Sequence, residues 1–289
     1  MPPLLRALRP NQWAKNLFVL APLVFSHRLT DREALGRALL AFAAFCAAAS
    51  AIYLINDLRD REEDRNHPRK RLRPIASGAL GPATASIAAL ILTAIAAALA
   101  WRLGPIAASF LAAYVVLNLL YSLGMKHVVI LDVMTIAMGF VLRVLGGAAA
   151  IPVPVSKWLL LCTTFVALFL AFSKRRHEIT LLHSDATNQR RVLESYSPAF
   201  LDQMINVVTA SAVVSYALYA TAPETVEKFH GEGLVYTLPL VLFGVFRYLY
   251  LTYQTPGEKN PTEAILRDVP FLANIGLWIA AVVWIIYLA

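Results

Sequence analysis

Residues 53–78 have the sequence YLINDLRDREEDRNHPRKRLRPIASG, and within this stretch an apolar run that begins near residue 34 ends abruptly in carboxylate and guanidinium groups. The run has about the 20 apolar residues that an α-helix needs to cross the hydrocarbon core of a bilayer. The charged residues that follow it belong in water. This change therefore predicts a membrane-spanning helix that ends in a polar loop.

The composition extends this prediction to the whole chain. Of the 289 residues, 58% are hydrophobic and only 15% are charged, and the mean hydropathy is +0.61. Soluble domains carry about 25% charged residues, so we interpret the chain as an integral membrane protein. The net charge of +8 comes from basic residues in short gaps between apolar segments, which indicates membrane topology rather than a nucleic-acid partner.

About nine apolar segments are long enough to be spans, although Pro22 interrupts the first of them. We predict an all-α, polytopic fold with one transmembrane domain over residues 1–289 and catalytic loops at about 57–81 and 174–201. The predicted spans are 16–30, 34–56, 82–101, 104–123, 128–150, 155–173, 202–222, 233–252 and 268–288.

The basic residues also predict the orientation of these spans. If the N-terminus starts in the cytoplasm, 18 of the 26 Lys and Arg residues lie in cytoplasmic segments and 6 lie outside. This bias predicts a cytoplasmic N-terminus and an external C-terminus, and we expect the membrane to be a bacterial plasma membrane. Both polar loops then face the side where phosphorylated metabolites and Mg²⁺ are found.

Three aspartates of the first polar loop, Asp57, Asp60 and Asp64, are three and four residues apart. If the second span continues as a helix beyond the membrane, they share one face, and Asn56 joins it one turn before Asp60. Like charges at this spacing repel, so the arrangement indicates a compensating cation. Oxygen ligands without His or Cys suit Mg²⁺, which takes one or two carboxylates together with waters and substrate phosphates.

A basic cluster follows these aspartates closely: Arg69, Lys70, Arg71 and Arg73. Guanidinium groups make charge-assisted, often bidentate contacts with phosphate oxygens. Metal-bridged diphosphate binding requires such a cluster beside a carboxylate face. A solvated, charge-balanced loop would have the same composition, so the residues alone leave both interpretations open.

The second polar loop begins with Lys174, Arg175 and Arg176, which would serve equally well as positive anchors at the end of a span. Further acids, cations and a phenol follow on the same predicted side and could help to close a polar cavity. These residues are Glu178, Arg190, Arg191, Glu194 and Tyr196.

Two ionisable residues lie inside the fifth predicted span, eleven residues apart, and a buried ion in a bilayer is a functional candidate. Asp132 is near the predicted cytoplasmic end and could reach the site. Arg143 lies deeper, and we expect it to hold helices together.

The motif NDLRDREED resembles the first Asp-rich motif, NDxxDxxxD, of the UbiA superfamily of intramembrane prenyltransferases. The match falls on Asn56, Asp57, Asp60 and Asp64, and the resemblance implies that these residues bind Mg²⁺ and diphosphate. Several other pieces resemble the decaprenyl-phosphate phosphoribosyltransferase branch of that superfamily. They are LRPNQWAKNLFVLAPLVF, HPRKRLRPIASG, DVMTIAMGFVLRVLGG, SKRRHE and RRVLESYS.

This resemblance implies a UbiA-like helical bundle that transfers 5-phosphoribosyl from phosphoribosyl diphosphate to a membrane polyprenyl phosphate. Aromatic prenyltransferases of the superfamily carry a second DxxxD motif where this chain has KRRHEITLLHSD, and that departure favours a donor held by cations. Asp57, Asp60, Lys174 and Arg175 are then the expected catalytic residues. The expected substrate contacts are Lys15, Asn16, Arg71, Arg73, Arg176, Glu178, Arg191, Glu194 and Tyr196.

Two alternatives remain open from the sequence. One is a prenyltransferase of the same fold that moves a prenyl group from a prenyl diphosphate to an aromatic or other small acceptor. The other is an anion transporter, which would predict discontinuous spans and symmetry between halves. The sequence does not determine the oligomeric state, and a homo-oligomer is one of the possible states.

Overall fold

The structure is a computed structural model that describes residues 1–68, 70–182, 195–254 and 267–288, and all regular secondary structure within these ranges is helical. The all-α prediction is therefore confirmed. The α-helices, in chain order, are α1 (Pro3–Leu8), α2 (Ala21–Phe25), α3 (Arg32–Arg59), α4 (Arg61–Asn66), α5 (Pro82–Leu103), α6 (Pro105–Leu123), α7 (Leu131–Ala150), α8 (Lys157–Leu182), α9 (Pro198–Thr221), α10 (Pro223–Lys228), α11 (Leu238–Gln254) and α12 (Val269–Tyr287). Short 3₁₀ helices cover Pro10–Leu20, Lys70–Leu72, Met125–His127 and Gly233–Thr237.

Eight helices of the described ranges are long and apolar enough to cross a membrane, and they match the last eight of the nine predicted spans. The first predicted span differs, because Pro10–Leu20 is a 3₁₀ helix and α2 follows it directly. A 3₁₀ helix rises about 2 Å per residue, so these two short elements together cover about 30 Å, roughly the thickness of a hydrocarbon core. The predicted count of about nine is thus approximate.

The chain divides into two compact units. Unit 1 comprises Met1–Lys126 and Met138–Val155, and unit 2 comprises His127–Ala137 and Ser156–Ala289. Helix α7 contributes residues to both. The single transmembrane domain over residues 1–289 stays a prediction.

Helix α3 is the centre of unit 1 and packs against the first 3₁₀ helix, α5 and α6. Asp31 caps its N-terminus, where a side-chain oxygen accepts hydrogen bonds from the backbone N–H groups of Glu33 and Ala34 at 3.0 and 3.1 Å. Small side chains such as Ala41 and Ala44 are buried along its length. Because small residues let helix backbones approach closely, α3 can hold several neighbours around it and present its C-terminal end to the first polar loop.

At Gly147, α7 lies close to the backbone of the first 3₁₀ helix, and we expect Gly147→Ala to be destabilising. A Cβ atom at this position would lie 1.9 Å from the carbonyl oxygen of Val19 in the first 3₁₀ helix. Backbone atoms cannot move aside as a flexible side chain can, so the free energy of unfolding should fall by about 1–3 kcal/mol or more. A lower thermal midpoint in detergent would show this loss.

The matched control for this prediction is Gly36→Ala, because a Cβ at Gly36 in α3 meets nothing within 4 Å. Alanine has the higher helix propensity, so this variant should keep or raise the midpoint. Equal midpoints for the two variants would contradict the close approach at Gly147.

In unit 2, α8 packs against α9, and α11 packs against α12. A chain of buried polar contacts ties α9 to its neighbours, since the Tyr216 hydroxyl lies 2.5 Å from Thr237 Oγ1 and accepts a hydrogen bond from Trp278 Nε1 at 3.2 Å. These contacts satisfy polar groups that are buried among apolar helices.

Candidate active site

The C-terminal end of α3 places two of the three predicted aspartates close together. Helix α3 ends at Arg59 and α4 begins at Arg61, yet the backbone N–H of Asp64 still donates to the Asp60 carbonyl at 2.8 Å. The helical turn therefore continues across the junction. Asp57 and Asp64 are both buried, with side chains only 3% and 2% exposed.

Two arginines neutralise this buried pair of carboxylates. Arg9 Nη2 donates to both oxygens of Asp57, at 2.6 and 2.9 Å. Arg73 Nη1 bridges the two acids, at 3.0 Å from Asp57 Oδ1 and 2.6 Å from Asp64 Oδ2. Lys70 Nζ lies 3.9 Å from Asp64 Oδ1. Three cations thus surround two carboxylates at the end of a span.

The other predicted residues of this loop lie apart from the pair. Asp60 is half-buried and its nearest described cation is Arg59, at 4.0 Å. Asn56 is half-buried, and Arg71 is exposed. No group of three or more His, Cys, Asp or Glu side chains that could hold a metal occurs in the described part of the chain. The predicted carboxylate trio is therefore a pair in this structure, and the metal-binding roles of Asn56 and Asp60 stay predictions.

The donor chemistry of the pair nevertheless suits Mg²⁺. Because both carboxylates lie within 3.0 Å of the same Arg73 nitrogen, their bound oxygens are at most about 6 Å apart. Their donors are oxygen only, and Mg²⁺ typically binds to one or two carboxylates and takes its remaining ligands from waters and phosphates. Asp57 and Asp64 are the residues suited to hold it.

Arg9 was not predicted from the sequence. It follows α1 in the left-handed backbone conformation, with φ +53°, and its guanidinium also lies 4.8 Å from the ring centroid of Tyr53. Neither its spacing nor the residues next to it connect it to Asp57, 48 positions later. Only the packing of α1 against α3 brings the two together.

Lys15 and Asn16, two further predicted substrate contacts, lie on the first 3₁₀ helix. Lys15 is exposed, whereas Asn16 is fully buried. The Asn16 side chain donates to Cys46 Sγ at 3.2 Å and accepts from Arg143 Nε at 2.7 Å. Asn16 therefore contacts a residue in the middle of α7, and both substrate roles stay predictions.

Unit 2 contains a second buried ionic network, centred on Arg175. This side chain is 1% exposed, and its Nε lies 3.0 Å from Asp132 Oδ2. Its Nη1 donates to Glu178 Oε2. The Tyr196 hydroxyl donates to Asp132 Oδ1 at 2.7 Å and accepts from the backbone N–H of Ile130 at 2.6 Å. Sequence spacing did not predict this pairing, which joins residues from three segments.

The remaining predicted residues of the second loop are more exposed or lie outside the described residues. Lys174 Nζ is 3.9 Å from Glu178 Oε1 and is half-exposed. Arg176 Nε donates to Asp202 Oδ1 at 2.8 Å. Arg191 and Glu194 lie outside the described residues.

Tyr196 gives this network a pH dependence. Burial of the phenol and its hydrogen bond to Asp132 raise the pKa of Tyr196 well above its ordinary value. Above about pH 10 the unfolded chain therefore loses this proton while the folded chain keeps it, so stability falls as the pH rises. We expect the thermal midpoint of the wild type to fall more steeply between about pH 10 and 11 than that of Tyr196→Phe. Parallel slopes would contradict this contribution.

Comparison with known proteins identifies the family. The family model described as the UbiA prenyltransferase family matches residues 18–275. The chain belongs to this family. This UbiA-family chain is 34% identical over 290 residues to the decaprenyl-phosphate phosphoribosyltransferase of Corynebacterium glutamicum, covering 99% of this chain and 87% of the relative. It is 35% identical over 296 residues to the enzyme of the same name from Mycolicibacterium smegmatis, covering 96% and 92%.

Solved structures confirm the UbiA-like helical fold. A UbiA homolog from Archaeoglobus fulgidus bound to GPP and Mg²⁺ is similar with a TM-score of 0.73 and 20% identity, over 98% of this chain and 99% of that one. A UbiA homolog from Aeropyrum pernix is similar with a TM-score of 0.66 and 19% identity, over 92% and 96%. The chain is therefore an integral membrane protein of a transferase family, which disfavours the anion-transporter alternative.

Proposed function

We propose that this protein transfers 5-phosphoribosyl from phosphoribosyl diphosphate to a polyprenyl phosphate in the membrane and releases diphosphate. One observation carries the proposal: relatives named for this activity align with nearly the whole chain, including the motif that supplies Asp57 and Asp64. Residues 174–185 also lack the second DxxxD motif of the aromatic prenyltransferases and begin with cations instead. This difference supports phosphoribosyl diphosphate as the donor.

The buried acids and arginines of unit 1 are suited to bind the donor. Bound at Asp57 and Asp64, Mg²⁺ would neutralise charge on the leaving diphosphate. Arg9 and Arg73 hold the two acids close together. Each guanidinium has five N–H donors, and in the described residues each uses one terminal nitrogen on the carboxylates. Their remaining donors are available to phosphate oxygens.

The acceptor needs less help from the protein. A polyprenyl phosphate is already anionic, so its oxygen can attack the anomeric carbon without a strong general base. The bond from that carbon to the diphosphate oxygen breaks as the new carbon–oxygen bond forms. Preorganised cations that stabilise the departing charge are then the main catalytic requirement. The roles of Lys174 and Arg175 as phosphate contacts stay predictions.

We also propose the orientation that such a donor requires. Phosphoribosyl diphosphate is a soluble metabolite, so the end of α3 should face the cytoplasm of a bacterial cell. The N-terminus would then be cytoplasmic and the C-terminus external, as the distribution of Lys and Arg predicts. A reporter that works only outside the cytoplasm should therefore be active when it is fused to the C-terminus. A reporter that works only in the cytoplasm should be inactive there.

A donor comparison tests the function. Purified protein would be incubated with Mg²⁺, a polyprenyl phosphate and labelled phosphoribosyl diphosphate, and label in the lipid phase would be counted. We expect label that disappears with a metal chelator. A parallel incubation would contain a labelled prenyl diphosphate and an aromatic acid. Product in that incubation alone would contradict the proposal and favour the prenyltransferase alternative.

A further inference from the structure

Arg143 is a buried cation in the middle of α7, about 18 Å from the Leu131 end of the helix at 1.5 Å per residue. It is 7% exposed. Its Nε donates to Asn16 Oδ1 at 2.7 Å, Nη1 to the Gly139 carbonyl at 2.8 Å, and Nη2 to the Tyr114 hydroxyl at 2.9 Å. The side chain is thus held firmly from three directions.

All three acceptors of Arg143 are neutral. The guanidinium also lies 4.5 Å from the ring centroid of Tyr114 and 5.3 Å from that of Phe140, and both rings are uncharged. No carboxylate of the described residues makes an ion pair with Arg143. Asp132, the acid on the same helix, pairs with Arg175 instead. A full positive charge therefore lies inside a span without a counter-charge among the described residues, which is costly in a bilayer.

Arg37 shows that neutral contacts alone do not mark a binding site. Its Nε donates to the Ala150 carbonyl at 2.6 Å and its Nη2 to the Leu103 carbonyl at 2.9 Å. These carbonyls belong to the last residues of α7 and α5, where the helix carries partial negative charge. Capping of two helix ends explains Arg37. The acceptors of Arg143 include no such helix end.

The surroundings of Arg143 are separate from the carboxylate pair within the same unit. Asn16 joins Arg143 to Cys46 of α3, and Cys46 precedes Asp57 by eleven residues, or about 16 Å along the helix. Arg143 is thus deeper in the membrane than the expected donor site.

We propose that Arg143 binds the phosphate of a lipid phosphate monoester, with Asn16 and Tyr114 fixing its orientation. Three of its five donors are engaged, so two remain to contact phosphate oxygens. A lipid is the suitable source, because an apolar tail offsets the cost of bringing a phosphate this deep, whereas free phosphate has no such tail. The identification of this lipid as the acceptor rests on the proposed function.

Binding of farnesyl phosphate, farnesol and inorganic phosphate to the full-length protein in detergent tests the site. The wild type should bind farnesyl phosphate at least about tenfold more tightly than farnesol, since charged hydrogen bonds supply that much. Arg143→Gln should abolish this preference, and Arg37→Gln should retain it. Arg143→Gln should still bind phosphoribosyl diphosphate with Mg²⁺. An unchanged preference in Arg143→Gln would overturn the proposal, and so would inorganic phosphate competing as well as farnesyl phosphate.

Two further variants keep the test decisive if Arg143→Gln does not fold. Arg143→Lys should keep a weakened preference for the phosphate, because it retains the charge but loses the planar fork. Asp57→Asn should keep the full preference for farnesyl phosphate over farnesol while it loses binding of phosphoribosyl diphosphate. Loss of both the preference and phosphoribosyl diphosphate binding in Asp57→Asn would overturn the separation of the two sites. Failure of phosphoribosyl transfer with an intact preference would reject the proposed function alone.

Discussion

Asp57→Asn should lower kcat/KM for phosphoribosyl transfer by at least about 100-fold, the size of effect expected when a group that stabilises transition-state charge is removed. Asparagine keeps the shape of the side chain but not the charge that holds Arg9 and Arg73 and that, in the proposed mechanism, would bind Mg²⁺. Both arginines are nearly 30% exposed, with values of 29% and 28%, so water can solvate them when the partner is lost. The thermal midpoint should therefore change little.

Glu63→Gln is the matched control for this variant. Glu63 belongs to the same acidic segment but is exposed on α4, so its replacement should leave kcat/KM within about twofold. Transfer by Asp57→Asn at the rate of the control would remove the carboxylate pair from the mechanism. Initial rates at several Mg²⁺ concentrations would measure both variants.

The Asp132 and Arg175 pair should give the largest effect on stability. Both side chains are 1% exposed, and breaking a buried pair by removing one partner costs about 3–5 kcal/mol because the other charge stays buried. Asp132→Asn and Arg175→Gln should each cause a loss of this size. The double variant should be more stable than the sum of the single losses implies, since it leaves neither Asp132 nor Arg175 as a buried charge without the other.

The exposed pair of Lys157 and Glu224 in the same unit provides the control. Their side chains are 64% and 69% exposed at a separation of 3.1 Å, so Lys157→Gln should cost less than about 1 kcal/mol. Unfolding in detergent would be followed for all variants. Additive losses in the double variant would show that Asp132 and Arg175 do not act as a pair. Arg175 would then be open to a direct role in phosphate binding.

Apolar length and aspartate spacing were enough to predict the fold and part of the site. The end of α3 and the shared face of Asp57 and Asp64 follow from local rules, namely hydrophobic length and helical period. The first span was harder to predict, because Pro22 interrupts its pattern and a 3₁₀ conformation carries no distinct sequence signal.

The ionic partners could not be predicted, because they depend on packing between distant segments. Arg9 contacts Asp57 across 48 positions, and Tyr196 contacts Asp132 across 64. Arg175, the middle residue of the basic run 174–176, was expected to be catalytic, yet its side chain is buried among carboxylates. Charge counts locate such residues at the end of a span but do not predict which partner each one faces.

The mass of the lipid product tests the central claim most directly. Purified protein, Mg²⁺, phosphoribosyl diphosphate and one defined polyprenyl phosphate would be incubated, and the lipid would be analysed by mass spectrometry while released diphosphate is measured. We predict that the acceptor gains one phosphoribosyl group and that one diphosphate is released for each product molecule. An unchanged acceptor, or diphosphate release without a modified lipid, would contradict the account.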